Sequence, residues 1–244
     1  MGSVGPLALK LKSLGIDDGD LNALVQVTKH RARVAAGADV IRAGDTGKHA
    51  IVLFDGMACA YQRSENGGRS ILAFQHAGDF CDLYRYVLPE RDSAAGVQAL
   101  TDCSIAVIDY RDMDRLLTRP KVALALWRAT MLDAAIYRVR LANASRGTAL
   151  ERVAHLLCEQ LASREAVGID GGRLPISQID VADATGLSTV HVNRTIQTLR
   201  SLNILSPASS IEVVARKQLA QVAKFDGRYL NMARLLSRWA VRVE

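Results

Sequence analysis

The chain has 244 residues, of which 49% are hydrophobic and 23% are charged. This supplies enough apolar material for a substantial core, and the length favours two domains. The sequence contains no run of about 18 apolar residues and no charged leader followed by a cleavage site. It therefore predicts a globular protein of the cytoplasm, without a membrane span or a secretory signal.

The net charge of +6 is unevenly distributed. Residues 1–119 hold 14 Lys/Arg and 15 Asp/Glu, whereas residues 120–244 hold 17 and 10, so the two halves carry −1 and +7. Fourteen of the 17 basic residues in the second half are arginines, whose planar side chains suit bidentate contacts with phosphates and bases. The C-terminal half therefore has the charge expected of a polyanion-binding domain.

The four cysteines are scattered along the chain. Cys59, Cys81, Cys103 and Cys158 show neither CxxC spacing nor a mixed Cys/His pattern, which argues against zinc, and we predict no metal site. Because a reducing compartment disfavours disulfides, we expect buried structural thiols. A redox role for them stays open at this point.

The N-terminal part changes its pattern near residue 30. Residues 7–27 show short helical patterns broken at Gly15, and residues 31–109 show short β-type runs separated by turn signals. Asp55-Gly56 and Asn66-Gly67 are expected to be hairpin turns, since both pairs favour positive φ. The pattern predicts an antiparallel roll or sandwich.

A long helix is predicted over residues 120–143, opened by Pro120 in its first turn. One apolar series on it alternates by +4 and +3, the spacing of a two-helix coiled coil, and it is predicted to form a homodimer interface. A second series is predicted to cover the roll, and a single buried helix is the alternative. The predicted interface residues are Ala125, Ala129, Leu132, Ile136 and Val139, and the predicted roll-covering residues are Leu124, Trp127, Met131 and Leu141.

Residues 176–205 predict a helix-turn-helix. The first helix is expected from about Ser177 to Ala184, with Ile179, Val181 and Ala182 pointing inward. Gly186 permits the sharp turn, and a serine at the start of the second helix can accept from the backbone N–H groups of its first turn.

The second helix of this motif separates apolar from polar side chains. Its predicted buried stripe is Val192, Ile196, Leu199 and Leu202. Steps of 100° per residue place the polar set on the opposite face, which suits the DNA major groove. The predicted DNA-contacting residues are Ser188, Thr189, Val190, Asn193, Arg194 and Gln197. Arg194 fits guanine O6 and N7, while Asn193 and Gln197 suit adenine or a phosphate; an ordinary helical hairpin is the alternative.

The segments around this motif complete a winged domain. Thr148 to Glu151 form a capping box that opens a supporting helix, in which His155 and Cys158 are interpreted as core residues. A turn-rich connection precedes the motif, a short wing strand follows Pro207, and one or two further helices are expected after residue 216. Three arginines there, spaced by four, offer an extra DNA-backbone contact: Arg234, Arg238 and Arg242.

In the order of these elements the chain resembles the CRP/FNR family of bacterial transcription regulators. The resemblance covers nearly the whole chain: the glycine-punctuated roll, Gly78-Asp79-Phe80, the long helix and the terminal helix-turn-helix, with LSTVHVNRTIQTLR (residues 187–200) as its most diagnostic segment. It implies an α+β fold. The implied parts are an N-terminal antiparallel β-roll of cyclic-nucleotide-binding, jelly-roll type (residues 7–117), a long dimerisation helix (118–144), a winged helix-turn-helix (145–216) and a C-terminal helical extension (217–244).

The resemblance also implies a sensor pocket in the roll, between its sheet and the long helix. The positions that correspond to it are Gly78, Asp79, Phe80, Cys81, Asp82, Ser93 and Ala94. Cyclic-AMP receptors of the family hold the phosphate with a glycine–glutamate pair and an arginine–serine pair, and Ser93 and Ala94 stand where the second pair would be. A phosphate would lack its arginine and would be repelled by Asp82, so cyclic AMP is disfavoured; Arg85 or Arg91 would substitute only in a different geometry.

Other cofactors of the family are also not matched. Iron-sulfur members carry an N-terminal cysteine cluster, whereas the first cysteine here is Cys59. Haem would need an axial ligand such as His76 or Cys81, and it is disfavoured because a loop histidine is usually solvated. No cofactor is predicted, which leaves an apo regulator or one with an unidentified small effector.

These features predict a sequence-specific DNA-binding transcription regulator, a homodimer on a pseudo-palindromic operator, which as an activator would also contact RNA polymerase. Many family members place a glutamate where Val190 stands; valine suits a thymine methyl instead. An enzyme is not predicted, because the sequence has no nucleophile elbow, HExxH, P-loop or GxGxxG motif. The alternative is a small-molecule or redox sensor, using haem or a thiol, in which DNA binding is secondary.

Overall fold

The computed structural model describes residues 5–28, 30–88 and 95–231. The chain divides into two compact units, residues 1–133 and residues 134–244, and the long helix α5 (Pro120–Arg146) runs across the division. The predictions for Ser93 and Ala94, and for Arg91, Arg234, Arg238 and Arg242, lie outside the described residues.

In its described residues, the first unit combines short helices with eight strands. Its helices are α1 (Gly5–Ser13), α2 (Asp18–Val27), α3 (Tyr84–Val87), α4 (Tyr110–Leu117) and the first part of α5. Its strands are β1 (Arg31–Val34), β2 (Asp39–Ile41), β3 (His49–Asp55), β4 (Met57–Arg63), β5 (Arg69–His76), β6 (Phe80–Cys81), β7 (Gly96–Ala99) and β8 (Cys103–Asp109).

The strands form two four-stranded antiparallel sheets, ordered β1-β8-β3-β6 and β2-β7-β4-β5. Side chains of β3 alternate between two cores, as the period of two requires. Leu53 packs with Ala58 and Val97 of the second sheet, inside the roll. Val52 packs on the other side against α1, α2, α4 and α5. The predicted antiparallel roll is confirmed.

The two predicted hairpin turns have different outcomes. Asn66-Gly67 connects the paired strands β4 and β5, with Gly67 at φ +79°, so this prediction is confirmed. The prediction for Asp55-Gly56 is wrong, because β3 and β4 belong to different sheets and the chain crosses between them there. Gly56 has φ +91°, and an added Cβ would lie 2.5 Å from the Asp102 carbonyl oxygen, so the crossing requires glycine.

The first turns of the long helix contradict the prediction of which apolar series faces the roll and which faces a second subunit. Ala125 is fully buried between Val122 and Leu126 in the helix-side core, and Ala129 packs against that core, so neither small side chain is available to a second subunit. The set predicted to cover the roll is exposed instead, with Trp127 at 64%. Alanines let α5 approach the core closely, which turns the bulky residues outward. Leu132, Ile136 and Val139 are partly buried.

The second unit is built around α6 (Ala149–Ala166), which begins with the predicted capping box: the Thr148 hydroxyl accepts the Glu151 N–H, and the Glu151 carboxylate accepts the Thr148 N–H. Its other elements are β9 (Arg173–Leu174), α7 (Gln178–Thr185), α8 (Thr189–Ser201), β10 (Ile211–Glu212), α9 (Arg216–Ala223) and a 3-10 helix (Gly227–Leu230). Helices α7, α8 and α9 all pack against α6, so residues 216–223 contribute to this core.

No helix within the described ranges combines the length and the apolar character that a bilayer span requires.

Candidate nucleic-acid interface

Helix α7 is fixed at its start by a capping box. The Ser177 hydroxyl accepts the Asp180 N–H at 3.1 Å, and the Ser177 N–H donates to Asp180 Oδ2 at 2.8 Å. Val181 and Ala182 are buried as predicted. The inward prediction for Ile179 is wrong, since its side chain is 60% exposed; two residues before Val181, it points about 200° away from the buried stripe.

The turn between the helices depends on Gly186. This residue ends α7 in the left-handed region at φ +64°, and its N–H donates to the Ala182 carbonyl. The Arg152 guanidinium of α6 donates to the Thr185 carbonyl at the same turn. The supporting helix therefore fixes the angle at which α8 leaves α7.

Helix α8 is capped by Ser188, whose hydroxyl accepts the His191 N–H at 3.3 Å. Val192, Ile196 and Leu199 have no exposed surface, so the predicted stripe is confirmed over the helix itself. Leu202 departs from it, at 49% exposed, because α8 ends at Ser201 and the period of 3.6 no longer applies.

All the predicted DNA-contacting side chains lie together on the outer surface of α8. The exposed residues are Ser188, Thr189, Val190, Asn193, Arg194 and Gln197. Val190 is 59% exposed although it is apolar. No part of the described chain covers this face, while the opposite face is completely buried. The helix is thus held by one side and offers the other to a partner.

Sequence reasoning missed one neighbour of this face. Asn193 Nδ2 donates to Gln178 Oε1 at 3.1 Å, which joins α8 to the first residue of α7. The only sequence signal for Gln178 is its place directly after the N-cap Ser177. The contact follows from the angle between the helices, which no spacing along the chain reveals.

The wing is a short antiparallel pair, with Ile211 opposite Leu174 and Glu212 opposite Arg173. Gly172 lies against the backbone of Val213, where an added Cβ would be 2.0 Å from the carbonyl oxygen. Arg216 anchors this region by an ion pair with buried Glu165 and by a hydrogen bond to the Gly171 carbonyl at 3.0 Å.

A polar network lies inside the same unit. The carboxylate of Glu159, 1% exposed, accepts from Arg140 Nε at 2.9 Å and from the Tyr229 hydroxyl at 2.8 Å. The ring of His155 stacks on Tyr229, with centroids 5.9 Å apart. Burial lowers the pKa of His155, and burial followed by the Glu159 charge raises the pKa of Tyr229. His155 and Cys158 are buried, as their interpretation as core residues requires.

The turn that carries Gly78 to Asp82 faces two directions. An added Cβ on Gly78 would lie 2.9 Å from the Pro6 carbonyl of α1, and Asp79 forms an ion pair with Lys10 of α1 at 2.8 Å. Phe80 packs with the helix-side core, and Cys81 packs inside the roll. The side chains of this turn are thus divided between α1 and the helix-side core on one side and the roll interior on the other, and their assignment to an effector pocket stays a prediction.

Arg85, the arginine that would have to replace the missing phosphate ligand, is already engaged. Its Nε lies 3.6 Å from Asp82 Oδ2, and its other end donates to the Asp45 carbonyl. Both side chains of the ion pair are 6% exposed. The carboxylate that would repel a phosphate also binds the guanidinium that would attract one.

All four cysteines are buried, which confirms the expected structural thiols. Burial raises the pKa of the Cys81, Cys103 and Cys158 thiols, so they stay protonated at neutral pH and are poor nucleophiles. Within the described ranges, no group of three or more His, Cys, Asp or Glu side chains is arranged to hold a metal ion.

Two family models match this chain. The cyclic nucleotide-binding domain matches residues 31–119, and the Crp-like helix-turn-helix domain matches residues 151–222. The chain belongs to the CRP/FNR family of transcription regulators.

Individual members of the CRP/FNR family are similar over most of the chain. A probable transcriptional activator of Rhizobium leguminosarum bv. viciae is 25% identical over 188 residues, covering 75% of this chain and 76% of that protein. The nitrogen fixation regulation protein FixK of Rhizobium meliloti is 27% identical over 185 residues, covering 75% and 82%. The structure of FixK2 from Bradyrhizobium japonicum shares the fold, with a TM-score of 0.69 at 23% identity, covering 79% of this chain and 96% of that one.

The predicted fold class and the predicted resemblance are thus confirmed. This CRP/FNR protein is a DNA-binding transcription regulator, with a cyclic-nucleotide-binding-type roll and a C-terminal helix-turn-helix. The family is one of transcription regulators and not of enzymes.

Proposed function

We propose that the protein acts as a homodimer that recognises a pseudo-palindromic operator by placing α8 in the major groove. The observation that carries the proposal is the division of α8 into two faces. The apolar side chains Val192, Ile196 and Leu199 on one face are completely buried. The opposite face exposes the six predicted contact residues. The +7 charge of residues 120–244 adds the long-range attraction that a phosphate backbone requires.

The exposed residues divide into different roles. Arg194 is assigned to guanine O6 and N7, which its planar fork contacts together. Val190 is assigned to a thymine methyl, since an exposed valine offers no acceptor to a cytosine amine. Ser188, whose hydroxyl already caps the helix, and Thr189 lie at the end of α8 that first meets the DNA, and Gln197 lies one turn beyond Asn193.

The dimer interface is assigned to the exposed apolar series of α5. Leu124, Trp127 and Met131 are 40%, 64% and 50% exposed and follow each other by +3 and +4; Leu141, at 73%, continues the same heptad pattern. The occupant of this face is a second copy of the chain. A two-fold pair of recognition helices requires a two-fold operator, which is the reason for the pseudo-palindrome.

We infer that cyclic AMP is not the effector, because Asp82 and Arg85 neutralise each other where a phosphate would need a free arginine. The buried cysteines offer no accessible thiolate for a thiol sensor. The regulator is proposed to act in the cytoplasm and, where it activates transcription, to contact RNA polymerase.

The test is selection of bound sequences from a random DNA pool with the full-length protein. The expected result is an inverted repeat whose half-sites contain a guanine that disappears from the selected sequences when Arg194 is replaced by alanine. Enrichment of no sequence, or of an asymmetric single site, would contradict the proposal.

A further inference from the structure

The two helices of the helix-turn-helix are joined on their outer surface by a pair of side-chain amides. Gln178 is the first residue of α7, and Asn193 lies in the second turn of α8. Asn193 Nδ2 donates to Gln178 Oε1 at 3.1 Å. Asn193 is exposed and Gln178 is half-buried, so the pair borders the surface that carries Val190 and Arg194.

This hydrogen bond restricts the orientation of the Asn193 amide. Gln178 accepts one of its two N–H groups, which leaves the second N–H and the Oδ1 atom for another partner. Within the described ranges, these atoms and Gln178 Nε2 make no other hydrogen bond. A side chain that is already held in one conformation loses less entropy when it binds.

The remaining edge of Asn193 is one donor beside one acceptor, and it is complementary to a single base. In the major groove, adenine presents the N7 acceptor beside the N6 amine, which match the free N–H and Oδ1 of Asn193. Guanine presents two acceptors, so its O6 would face Oδ1 and repel it. Thymine presents one acceptor and a methyl group, and cytosine presents a donor.

The amide nitrogen of Gln178 is also available as a donor. Both N–H groups of its Nε2 are free while its Oε1 holds Asn193. In a helix-turn-helix, the first helix crosses the DNA backbone while the second enters the groove. Phosphate contacts made from the first helix fix the register of the second helix on the bases.

We propose that Gln178 is a positioning residue that aims Asn193 at an adenine in each half-site and donates its own N–H groups to a phosphate. The proposal rests on the proposed function above. It goes further by naming the base that Asn193 recognises and by giving a residue outside the recognition helix a part in specificity.

The test measures base preference with the full-length protein and four variants. They are Asn193→Ala, Gln178→Ala, Gln178→Glu and the double alanine variant. Each is used in the random-pool selection, and its affinity is then measured for the selected operator and for operators with the adenine replaced in both half-sites. Both side chains are at least partly exposed, so the variants are expected to unfold at the wild-type temperature, and this is checked first.

The wild type is expected to prefer adenine at this position on the order of tenfold per half-site, the discrimination of one bidentate contact. Asn193→Ala is expected to remove the preference, and Gln178→Ala to reduce it severalfold. The double variant should discriminate no worse than Asn193→Ala, because the two side chains act as one unit.

Gln178→Glu separates the two roles of this residue. A carboxylate still accepts the Asn193 N–H, so the adenine preference is expected to remain. The same carboxylate repels the phosphate, so affinity is expected to fall several-fold for every sequence. Ile179→Ala, a change at the adjacent exposed residue of α7, is the matched control and is expected to alter neither quantity.

The outcomes distinguish this proposal from the one on which it rests. If the wild type selects no sequence, both fail. If the Arg194-dependent guanine is selected but Gln178→Ala keeps the full adenine preference, or Asn193→Ala changes no base preference, only the present proposal is overturned.

Discussion

Arg194 is the residue on which sequence recognition is expected to depend most. Replacing it by alanine removes the only arginine on the exposed face of α8 while leaving the buried stripe intact. We expect the affinity for the selected operator to fall by about 5- to 150-fold for each half-site, since one bidentate guanine contact is worth roughly 1–3 kcal/mol. Fluorescence anisotropy with labelled operator DNA measures this change.

The control for Arg194 is Arg111→Ala, which removes the same charge from an exposed position of α4. It should leave both specific and non-specific binding close to wild type. If Arg194→Ala weakened binding to random DNA as much as binding to the operator, the arginine would contact a phosphate and not a base.

His155 gives the protein a predictable response to acid. Burial lowers its pKa below the ordinary 6.5, so the folded protein keeps it neutral while the unfolded chain takes up a proton. Above pH 6.5, His155 is neutral in both states and its contribution to the free energy of unfolding is fully present. As the pH falls below 6.5, the unfolded chain binds a proton that the folded protein does not, and this contribution is lost. The free energy of unfolding of wild type minus that of His155→Gln should therefore shrink between pH 8 and pH 5.

Urea unfolding at several pH values measures this difference. A difference that stayed constant across the range would mean that His155 titrates alike in the folded and unfolded chain. Tm measurements at the same pH values provide a check that does not depend on extrapolation to zero urea.

Single residues were predictable from the sequence where a helix is regular and were not at helix ends. The 100° rule placed Val192, Ile196 and Leu199 inside and Arg194 outside, as the structure has them. The inward predictions for Ile179 and Leu202 were wrong because they followed hydropathy: the spacing of α7 turns Ile179 away from Val181, and Leu202 lies beyond the end of α8. Gln178 was missed because its partner is distant in sequence and is brought near by the turn at Gly186.

At the scale of elements, glycine signals predicted where the chain turns but not which strands it joins. Asn66-Gly67 and Asp55-Gly56 look alike in the sequence, yet one closes a hairpin and the other carries the chain between sheets. The difference is made by Asp102, whose carbonyl packs against Gly56 from 46 residues further along. A contact between residues so far apart in the sequence cannot be predicted from the residues around the turn.

The start of α7 provides an element-scale test. Ser177→Ala removes the hydroxyl that accepts the Asp180 N–H, and we expect the free energy of unfolding to fall by about 1 kcal/mol. Because the cap sets where α7 begins, operator affinity should fall as well. Urea unfolding and anisotropy on the same samples measure the two effects.

Ser201→Ala is the matched control, because that exposed serine donates only to a carbonyl within its own helix. We expect it to change stability by less than about 0.5 kcal/mol. Equal losses in the two variants would show that the Ser177 cap has no special part in the helix-turn-helix.

At the scale of the whole molecule, the order of parts was predictable and the outward face of the long helix was not. The roll, the long helix and the terminal helix-turn-helix each carry their own signal of period and turn. Helix α5 has two apolar stripes, and the sequence favoured the one that contains Ala125 and Ala129. The structure buries Ala125 and packs Ala129 against the helix-side core, and it leaves Trp127 exposed, because small side chains allow the closer packing.

Trp127→Glu tests the assembly that this exposed stripe implies. Charges at the centre of an apolar seam would have to be desolvated and would repel each other in a two-fold dimer. We expect the variant to sediment as a monomer at concentrations at which wild type is a dimer, and to lose most of its affinity for the complete operator. Leu9→Glu, a similar change on an exposed position of α1, should remain a dimer.

Sedimentation equilibrium determines the mass directly. A Trp127→Glu variant that remained a dimer would place the interface elsewhere, and a wild type that sedimented as a monomer would contradict the proposed homodimer.

The buried carboxylate of Glu159 in α6 depends on Tyr229, which lies close to the end of the described chain. A truncation ahead of Gly227 would remove the Tyr229 hydroxyl from this buried carboxylate, which would keep only its contacts with Arg140 and Gln160 among the described residues, and would remove the ring that stacks on His155. Proteolytic trimming at this point would therefore destabilise the second unit from its interior, although every residue of the exposed face of α8 would remain.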